Sequence, residues 1–373
     1  MAKISVVIPS YNHDRYIGAA LDSLEQQSFR DFDVTIVDDG STDGSVAAIE
    51  AFQARSRLPV TLIAQPNAGA DAALNRGIAA SRGEIVAILN SDDAYHPERL
   101  ETVLAAAPRH TPFIAFSEFT FMGEQGQAIP DDPHNVWYRE ALAENTTMPS
   151  LGFMLMRSNI SVSTSNYVFS RALYDAAGPF RPFKTAHDLD FLLRCVTLVE
   201  PLFVRTPLLR YRIHGASTLK ANRDVEFREV RTILDDYIGA VSARPPANAV
   251  APGARQMPLY SAYFLADRDH WSGPLAGELR QALLAALDAA ATRRDALALR
   301  REVDRLTAEL RRALEAASAQ DHAVQAEKEL HVARAAQANV LARLEVLQNS
   351  TSWRITAPLR GIVEACRGMA RRA

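Results

Sequence analysis

Two pairs of carboxylates in this chain stand where oxygen ligands could hold a metal ion or a nucleotide. Asp92 and Asp93 follow the apolar run IVAIL after only Asn90 and Ser91, so they fall at the end of an expected strand and not on a solvated helix. A divalent ion bound to a diphosphate needs hard oxygen ligands from few protein groups, because phosphates and waters complete its shell. The same pair would also suit a turn leading to a helix cap for HPERL. Asp38 and Asp39 end another apolar run. There a carboxylate can accept hydrogen bonds from a base N–H or from sugar hydroxyls. Equally, DDGSTDGS can be a turn into a helix capped by Thr42 or Asp43.

The elements that would position these groups are legible in the first third of the chain. Short β-branched runs at Ile4 to Ile8, Val34 to Val37, Val60 to Ile63 and Ile85 to Leu89 suit buried parallel strands. Between them, Tyr16, Ile17, Ala20, Leu21 and Leu24 recur at helical spacing, and so do Ala70, Ala73, Leu74 and Ile78. This alternation predicts β-α-β crossovers and a parallel sheet. In open sheets of that kind ligands bind beyond the carboxyl ends of the strands. The residues there are polar: Pro9 to Asn12 after the first strand, Asp38 to Ser41 after the second, Asn90 to Asp93 after the fourth. From about residue 110 the alternation fades, and the stretch to about 215 is read as the acceptor side.

The chain has 373 residues, 23% of them charged, with a net charge of −3, a balance that gives no argument for nucleic acid as the partner. Cys195 and Cys366 lie far apart without metal-type spacing and are expected to be free thiols in a reducing compartment. No apolar stretch reaches the ~20 residues that cross a bilayer. The protein is therefore expected to be cytoplasmic, with attachment to the inner membrane face left open.

Four ordered motifs, VVIPSYN, VDDGSTD, NAGADAALNRGIAASRGEIVAILNSDD and HDLDFLLR, resemble the motif series of family-2 inverting glycosyltransferases. The resemblance covers about residues 3 to 215. It implies an α/β GT-A fold, a Rossmann-like mixed sheet with flanking helices, with a catalytic domain over 1–215. It also implies a nucleoside-diphosphate sugar donor, a UDP-sugar in the favoured case, a saccharide or lipid-linked acceptor, and a divalent metal, Mg or Mn. Carried onto matching positions, Pro9, Tyr11, Asn12 and Asp39 would surround the nucleoside, and Asn67, Gly69 and Asn75 would shape the donor pocket. Asp92 would lie near ribose and diphosphate, and Asp93 would ligate the metal. Asn90 stands where many relatives carry Asp, so one carboxylate is missing. Asp188 matches the family's catalytic base, although an ordinary helix N-cap is the competing reading. His214, in YRIHGAS, is a candidate phosphate or metal contact, with Arg212 and Ser217 as weaker ones; a lone histidine is also commonly structural. NISVSTSNYVFSR is similar to a family segment near the acceptor, with no role assigned to Ser165 or Asn166.

Past the resemblance, a helical extension is expected over 216–245 and a Pro/Ala-rich linker over 246–275. Residues 276–348 place Leu299, Val303, Leu306 and Leu310 on one apolar seam and Leu330, Ala333, Val340 and Leu344 on another in a different phase. A coiled coil pairing two copies fits, and so does a helical hairpin folded on its own chain. In 349–373 an apolar face opposes Arg360, Arg367 and Arg371, which suits a helix lying on a membrane surface or one docked on the protein itself. These segments would hold the enzyme near a lipid-linked acceptor in bacterial surface-polysaccharide synthesis. Two other function classes compete. One is a nucleotide-sugar-binding scaffold with a degenerate transferase fold. The other is a dinucleotide-dependent oxidoreductase, disfavoured because PSYNHD replaces a G-x-G-x-x-G turn after the first strand.

Overall fold

The computed structural model describes residues 3–108, 111–145, 148–215 and 223–253. Strands β1 (Ile4–Ser10), β2 (Phe32–Asp38), β3 (Val60–Ala64) and β4 (Ile85–Ile88) run parallel in the order β3-β2-β1-β4. Helices α1 (Ile17–Glu25), α2 (Ser45–Arg55) and α3 (Ala70–Ala80) make the crossovers between them. Ile4, Val6, Val7 and Ile8 of β1 are fully buried, whereas β3 at the edge is partly exposed, as a central and an edge strand should be. α3 lies so close on the sheet that a Cβ at Gly77 would stand 2.5 Å from Val7 Cγ1, so only glycine allows this approach.

The chain then departs from simple alternation. It continues through β5 (Ala94–Tyr95), α4 (Arg99–Ala106), β6 (Ile114–Met122), α5 (Pro133–Asn145) and α6 (Leu151–Arg157). A 3-10 turn (Thr164–Asn166), β7 (Val168–Ser170), α7 (Arg171–Ala177), α8 (His187–Val196), β8 (Leu202–Arg212) and α9 (Arg223–Ala243) follow. β7 is antiparallel to both β4 and β6, β6 is parallel to β8, and β5 is antiparallel to β8. The complete order is β3-β2-β1-β4-β7-β6-β8-β5, a mixed sheet. The segment expected as a loosely defined acceptor side therefore supplies β6, β7 and β8 of the main sheet.

The cap reading fails for Asp92 and Asp93 but holds in part for the other pair, where Asp43 bonds the first residue of α2. α4 begins at Arg99 with Glu98 as its N-cap residue, well beyond Asp93. α2 begins at Ser45, later than a Thr42 cap implies, and Asp43 Oδ1 accepts from the Ser45 N–H at 2.9 Å. Behind the Asp92–Asp93 turn, Arg99 is fully buried; it donates to Ser117 Oγ at 2.8 Å and to Asn166 O at 2.8 Å and lies over the Tyr95 ring. These bonds offset part of the cost of burying the cation, while its Nε stays buried without a hydrogen-bond partner.

α9 packs on α8, and the chain returns past it: Asn248 Nδ2 donates to Val196 O at 3.0 Å and Tyr237 Oη to Pro252 O at 2.8 Å. The compact unit accordingly runs to Pro252, so the first residues of the expected linker are packed. Among the described residues, no helix is long and apolar enough to cross a membrane. Cys195 is a buried free thiol. The rest of the linker, the coiled-coil seams, the C-terminal helix, Ser217 and Cys366 lie outside the described residues.

Candidate active site

Three parallel strands end at one rim, and hydrogen bonds tie their loops together. Asn12, in the left-handed region at φ 51°, donates its N–H to Ser41 Oγ at 2.9 Å, and its Oδ1 accepts from the Thr42 N–H at 2.8 Å. The β1 loop is thereby fixed to the β2 loop. Asp39 is buried and its carboxylate faces the loop before α3: Oδ1 accepts from Gln65 Nε2 at 2.7 Å and Ala68 N–H at 2.9 Å, and Oδ2 from Gly69 N–H at 2.9 Å. Gly69, at φ 98°, is the N-cap residue of α3, a conformation glycine adopts without strain.

At the end of β4 the two carboxylates part. Asp92 Oδ2 meets His214 Nε2 at 3.0 Å, and the neighbouring Ser91 Oγ meets His13 Nδ1 at 2.8 Å. Tyr16 lies against both imidazoles, its ring centroid 4.9 Å from His214 and 5.7 Å from His13, and carries the Arg212 guanidinium on its face. Arg212 donates from Nε to Asp92 O at 2.6 Å and from Nη1 to Glu124 O at 2.9 Å. Burial alone would raise the Asp92 carboxyl, but the His214 hydrogen bond and the charges of His13 and His214 hold it below its ordinary value. Burial pushes His13 below its ordinary value, opposed by the charge of Asp92. Asp93 lies behind, 1% exposed; its Oδ1 accepts from the Arg212 N–H at 2.9 Å, and its Oδ2 is buried without a hydrogen-bond partner. Burial, and then the charge of Asp92, push it well above its ordinary value.

The donor set suits a divalent ion. One ligand atom each from His13, Asp92 and His214 lie within 4.8 Å of one another, and one carboxylate with two imidazoles is an ordinary set for such an ion.

Asp188 stands in the first turn of α8, one residue inside the helix, and the N-cap residue is Ala186 without a side-chain cap. Burial raises its carboxyl, opposed by His187 and by Asn159, whose Nδ2 donates to Asp188 Oδ2 at 3.0 Å. The segment that begins at Asn159 runs on to the acidic rim: Ser163 Oγ accepts from Asn90 Nδ2 at 3.0 Å, Thr164 Oγ1 donates to Asn90 Oδ1 at 3.0 Å, and Ser165 Oγ accepts from Asn90 N–H at 2.7 Å. Asn90, which replaces a carboxylate, is thus a structural node. Tyr211 lies between the two regions: burial first, then Asp93, Asp92 and Asp188, raise its hydroxyl. Around α8, Glu229 of α9 accepts from the N–H groups of Lys184, Thr185 and Ala186 and from Thr185 Oγ1, at 2.7–3.1 Å. Buried Asp190 is held by Arg181 and Arg194.

The structure brings Asn12, Asp39, Gly69, Asp92 and His214 to the rim or its supporting loops. Asp93, expected at the metal, instead faces the backbone of β8, and Asp92 is the carboxylate that meets the histidines. Pro9 sits within β1 opposite Val37, Tyr11 is exposed, and Asn67 is exposed on the loop held by Asp39. Asn75 is turned elsewhere: its side chain bonds the backbone of Phe180 and Tyr174 Oη, bracing α3 against the α7 region. Sequence reasoning missed His13, Tyr16, Asn159 and Glu229. His13 directly follows PSYN, which was its only local signal; the partners of the others lie far away in the chain.

Residues 5–174 match the family model described as glycosyl transferase family 2. An uncharacterized glycosyltransferase of Nostoc sp. is 41% identical over 58% of this chain and 66% of its own length. The amylovoran biosynthesis glycosyltransferase AmsB of Erwinia amylovora is 37% identical over 38% of this chain and 49% of its own. This chain therefore spans under two thirds of either relative. A crystal structure of Staphylococcus aureus TarS residues 1–349 with UDP-GlcNAc has a similar fold, with a TM-score of 0.52 at 19% identity over 76% of this chain and 79% of that one. With the parallel β3-β2-β1-β4 half, the acidic rim after β4 and the motif order, these matches identify residues 5–174 as a glycosyl transferase family 2 segment, and the sheet has the GT-A fold.

Proposed function

We propose that this chain transfers a sugar from a nucleoside-diphosphate sugar, a UDP-sugar in the favoured case, to a hydroxyl of a saccharide or lipid-linked acceptor, with inversion at the anomeric carbon. The observation that carries this reading is the segment from Asn159 to Ser165, which holds Asp188 at one end and Asn90, two residues before Asp92, at the other. One segment thus braces both the Asp188 carboxylate and the turn that carries Asp92. Asp188 takes the proton from the attacking hydroxyl; burial raises its proton affinity, which suits a general base near neutral pH. Inversion needs one displacement and no carboxylate nucleophile.

Asp92 and His214 hold the diphosphate end, and we assign Asp92, not Asp93, as the metal-side carboxylate because it meets the histidines. A divalent ion bound there, Mg or Mn, would neutralise charge on the departing diphosphate. Pro9, Tyr11 and Asn12 border the nucleoside, and Asp39 shapes its pocket by pinning Ala68 and Gly69. The solved TarS complex with UDP-GlcNAc supports the choice of donor class, and the amylovoran relative supports a role in bacterial polysaccharide assembly.

A panel of nucleotide sugars with Mg or Mn, read by nucleoside-diphosphate release in the presence of acceptor, tests the reading. Asp188→Asn should lower turnover by roughly 10²–10⁴-fold while donor binding persists. A chain that binds no nucleotide sugar, or an Asp188→Asn variant with the wild-type rate, overturns it.

A further inference from the structure

The cluster at Asp92 offers one donor more than a carboxylate and a late histidine. His13 lies on the turn between β1 and α1, and its ring stands at 90° to that of His214 with centroids 5.7 Å apart. We propose that His13 is a metal ligand, and that the two imidazoles with Asp92 make this a site for first-row transition ions such as Mn(II) in preference to Mg(II). The inference rests on the proposed transferase reading for the presence of an ion, and it adds which side chains hold that ion and which ions they select.

Geometry supports a shared ion. Metal–nitrogen bonds of roughly 2.1 Å put cis donors about 3 Å apart and trans donors about 4.2 Å apart. The donor atoms of His13, Asp92 and His214 are within 4.8 Å of one another, and Asp92 Oδ2 and His214 Nε2 already stand at the cis distance of 3.0 Å, so a shift of the His13 side chain toward them completes the set. His13 is already oriented. Ser91 Oγ stands 2.8 Å from Nδ1, and when that hydroxyl accepts the Nδ1 proton the Nε2 lone pair is left free, as is usual for histidine ligands held by an outer partner. Tyr16 packs against both rings and is itself fixed by Glu124, to which its hydroxyl donates at 3.1 Å. Both imidazoles are therefore held in place before an ion arrives.

Chemistry sets the preference. Mg(II) favours oxygen ligands and retains its waters, whereas first-row transition ions accept imidazole, Mn(II) the most weakly of the series but more readily than Mg(II).

The test uses the full chain, with Mn(II) as probe, with and without UDP. Mn(II) binding is followed by EPR titration, Mg(II) by competition, and the ligands by the imidazole nitrogen couplings in pulsed EPR. Two imidazole couplings are expected in the wild type and one in His13→Ala. Mn(II) affinity should fall at least about tenfold in His13→Ala while Mg(II) affinity changes less than twofold. His13→Gln, which keeps a hydrogen bond to Ser91, should show the same loss, which separates ligation from bracing of the turn. A single coupling in the wild type, unchanged Mn(II) affinity in both variants, or no Mn(II) binding under either condition overturns the inference. The transferase reading is judged separately, by the rate of Asp188→Asn.

Discussion

Replacing Glu229 by alanine removes a carboxylate that accepts four hydrogen bonds from the three residues leading into α8. Asp188 follows Ala186, the last of those residues, by two positions. A hydrogen bond to a charged acceptor contributes about 1.5–3 kcal/mol where water is excluded. Glu229 is only partly buried, so water replaces much of that, and a net loss of about 0.5–2 kcal/mol is expected, the range found for a deleted helix cap. The kinetic effect follows from position. A misplacement of about 1 Å can cost 10²-fold, and a smaller drift of the α8 entry should lower kcat by about tenfold. The donor side is built on the β1, β2 and β4 loops, so KM for the donor should change less than twofold. Initial rates of nucleoside-diphosphate release at saturating donor and acceptor, measured well below the melting temperature, separate the two parameters. Glu229→Gln keeps one acceptor oxygen and should fall between wild type and alanine. pH gives an independent signature. Burial would raise the Glu229 carboxyl, but Thr185 and the amides of Lys184 and Ala186 hold it below its ordinary value. The stability advantage of wild type over Glu229→Ala should therefore be complete above the ordinary glutamate range and vanish as pH falls through the lowered folded value. If Glu229→Ala melts earlier yet keeps the wild-type kcat, the cap stabilises the fold without positioning Asp188, and the reasoning fails.

Further outcomes follow from the same contacts. Asn159 donates to Asp188 Oδ2 and favours its charged form, so Asn159→Ala should move the acid limb of the kcat/KM profile to higher pH; an unmoved or lowered limb would count against Asp188 as the base. At Gly77, alanine gains about 0.5–1 kcal/mol of helix propensity but drives its Cβ to 2.5 Å from Val7 Cγ1, an overpacking that costs about 1–3 kcal/mol. A net loss should appear as a lower urea midpoint with an unchanged slope. Deleting residues 350–373 should abolish binding to anionic liposomes and leave donor hydrolysis intact, and unchanged liposome binding would refute a membrane role for that segment.

Much of the scaffold was legible because its signals are local. The β-branched runs gave β1 to β4 to within a few residues, since strands buried on both faces read as continuous apolar stretches. The positions of α1 and α3 followed from helical spacing. β6, β7 and β8 were not visible, since antiparallel pairing of β7 with β4 and β6 joins segments that share no pattern in the chain.

The sequence by itself determined the motif order and the acidic rim, because those depend on residue type placed at strand ends, and the motif resemblance marked Asp188 as the candidate base. Only the tertiary structure decided how the carboxylates divide. Successive residues of a turn point in different directions, so Asp92 reaches His214, 122 residues away, while Asp93 turns back to the Arg212 backbone. Sequence also left His13, Asn159 and Glu229 unmarked. Their partners Ser91, Asp188 and the entry to α8 are 78, 29 and 43–45 residues distant, and folding alone brings them within hydrogen-bond range.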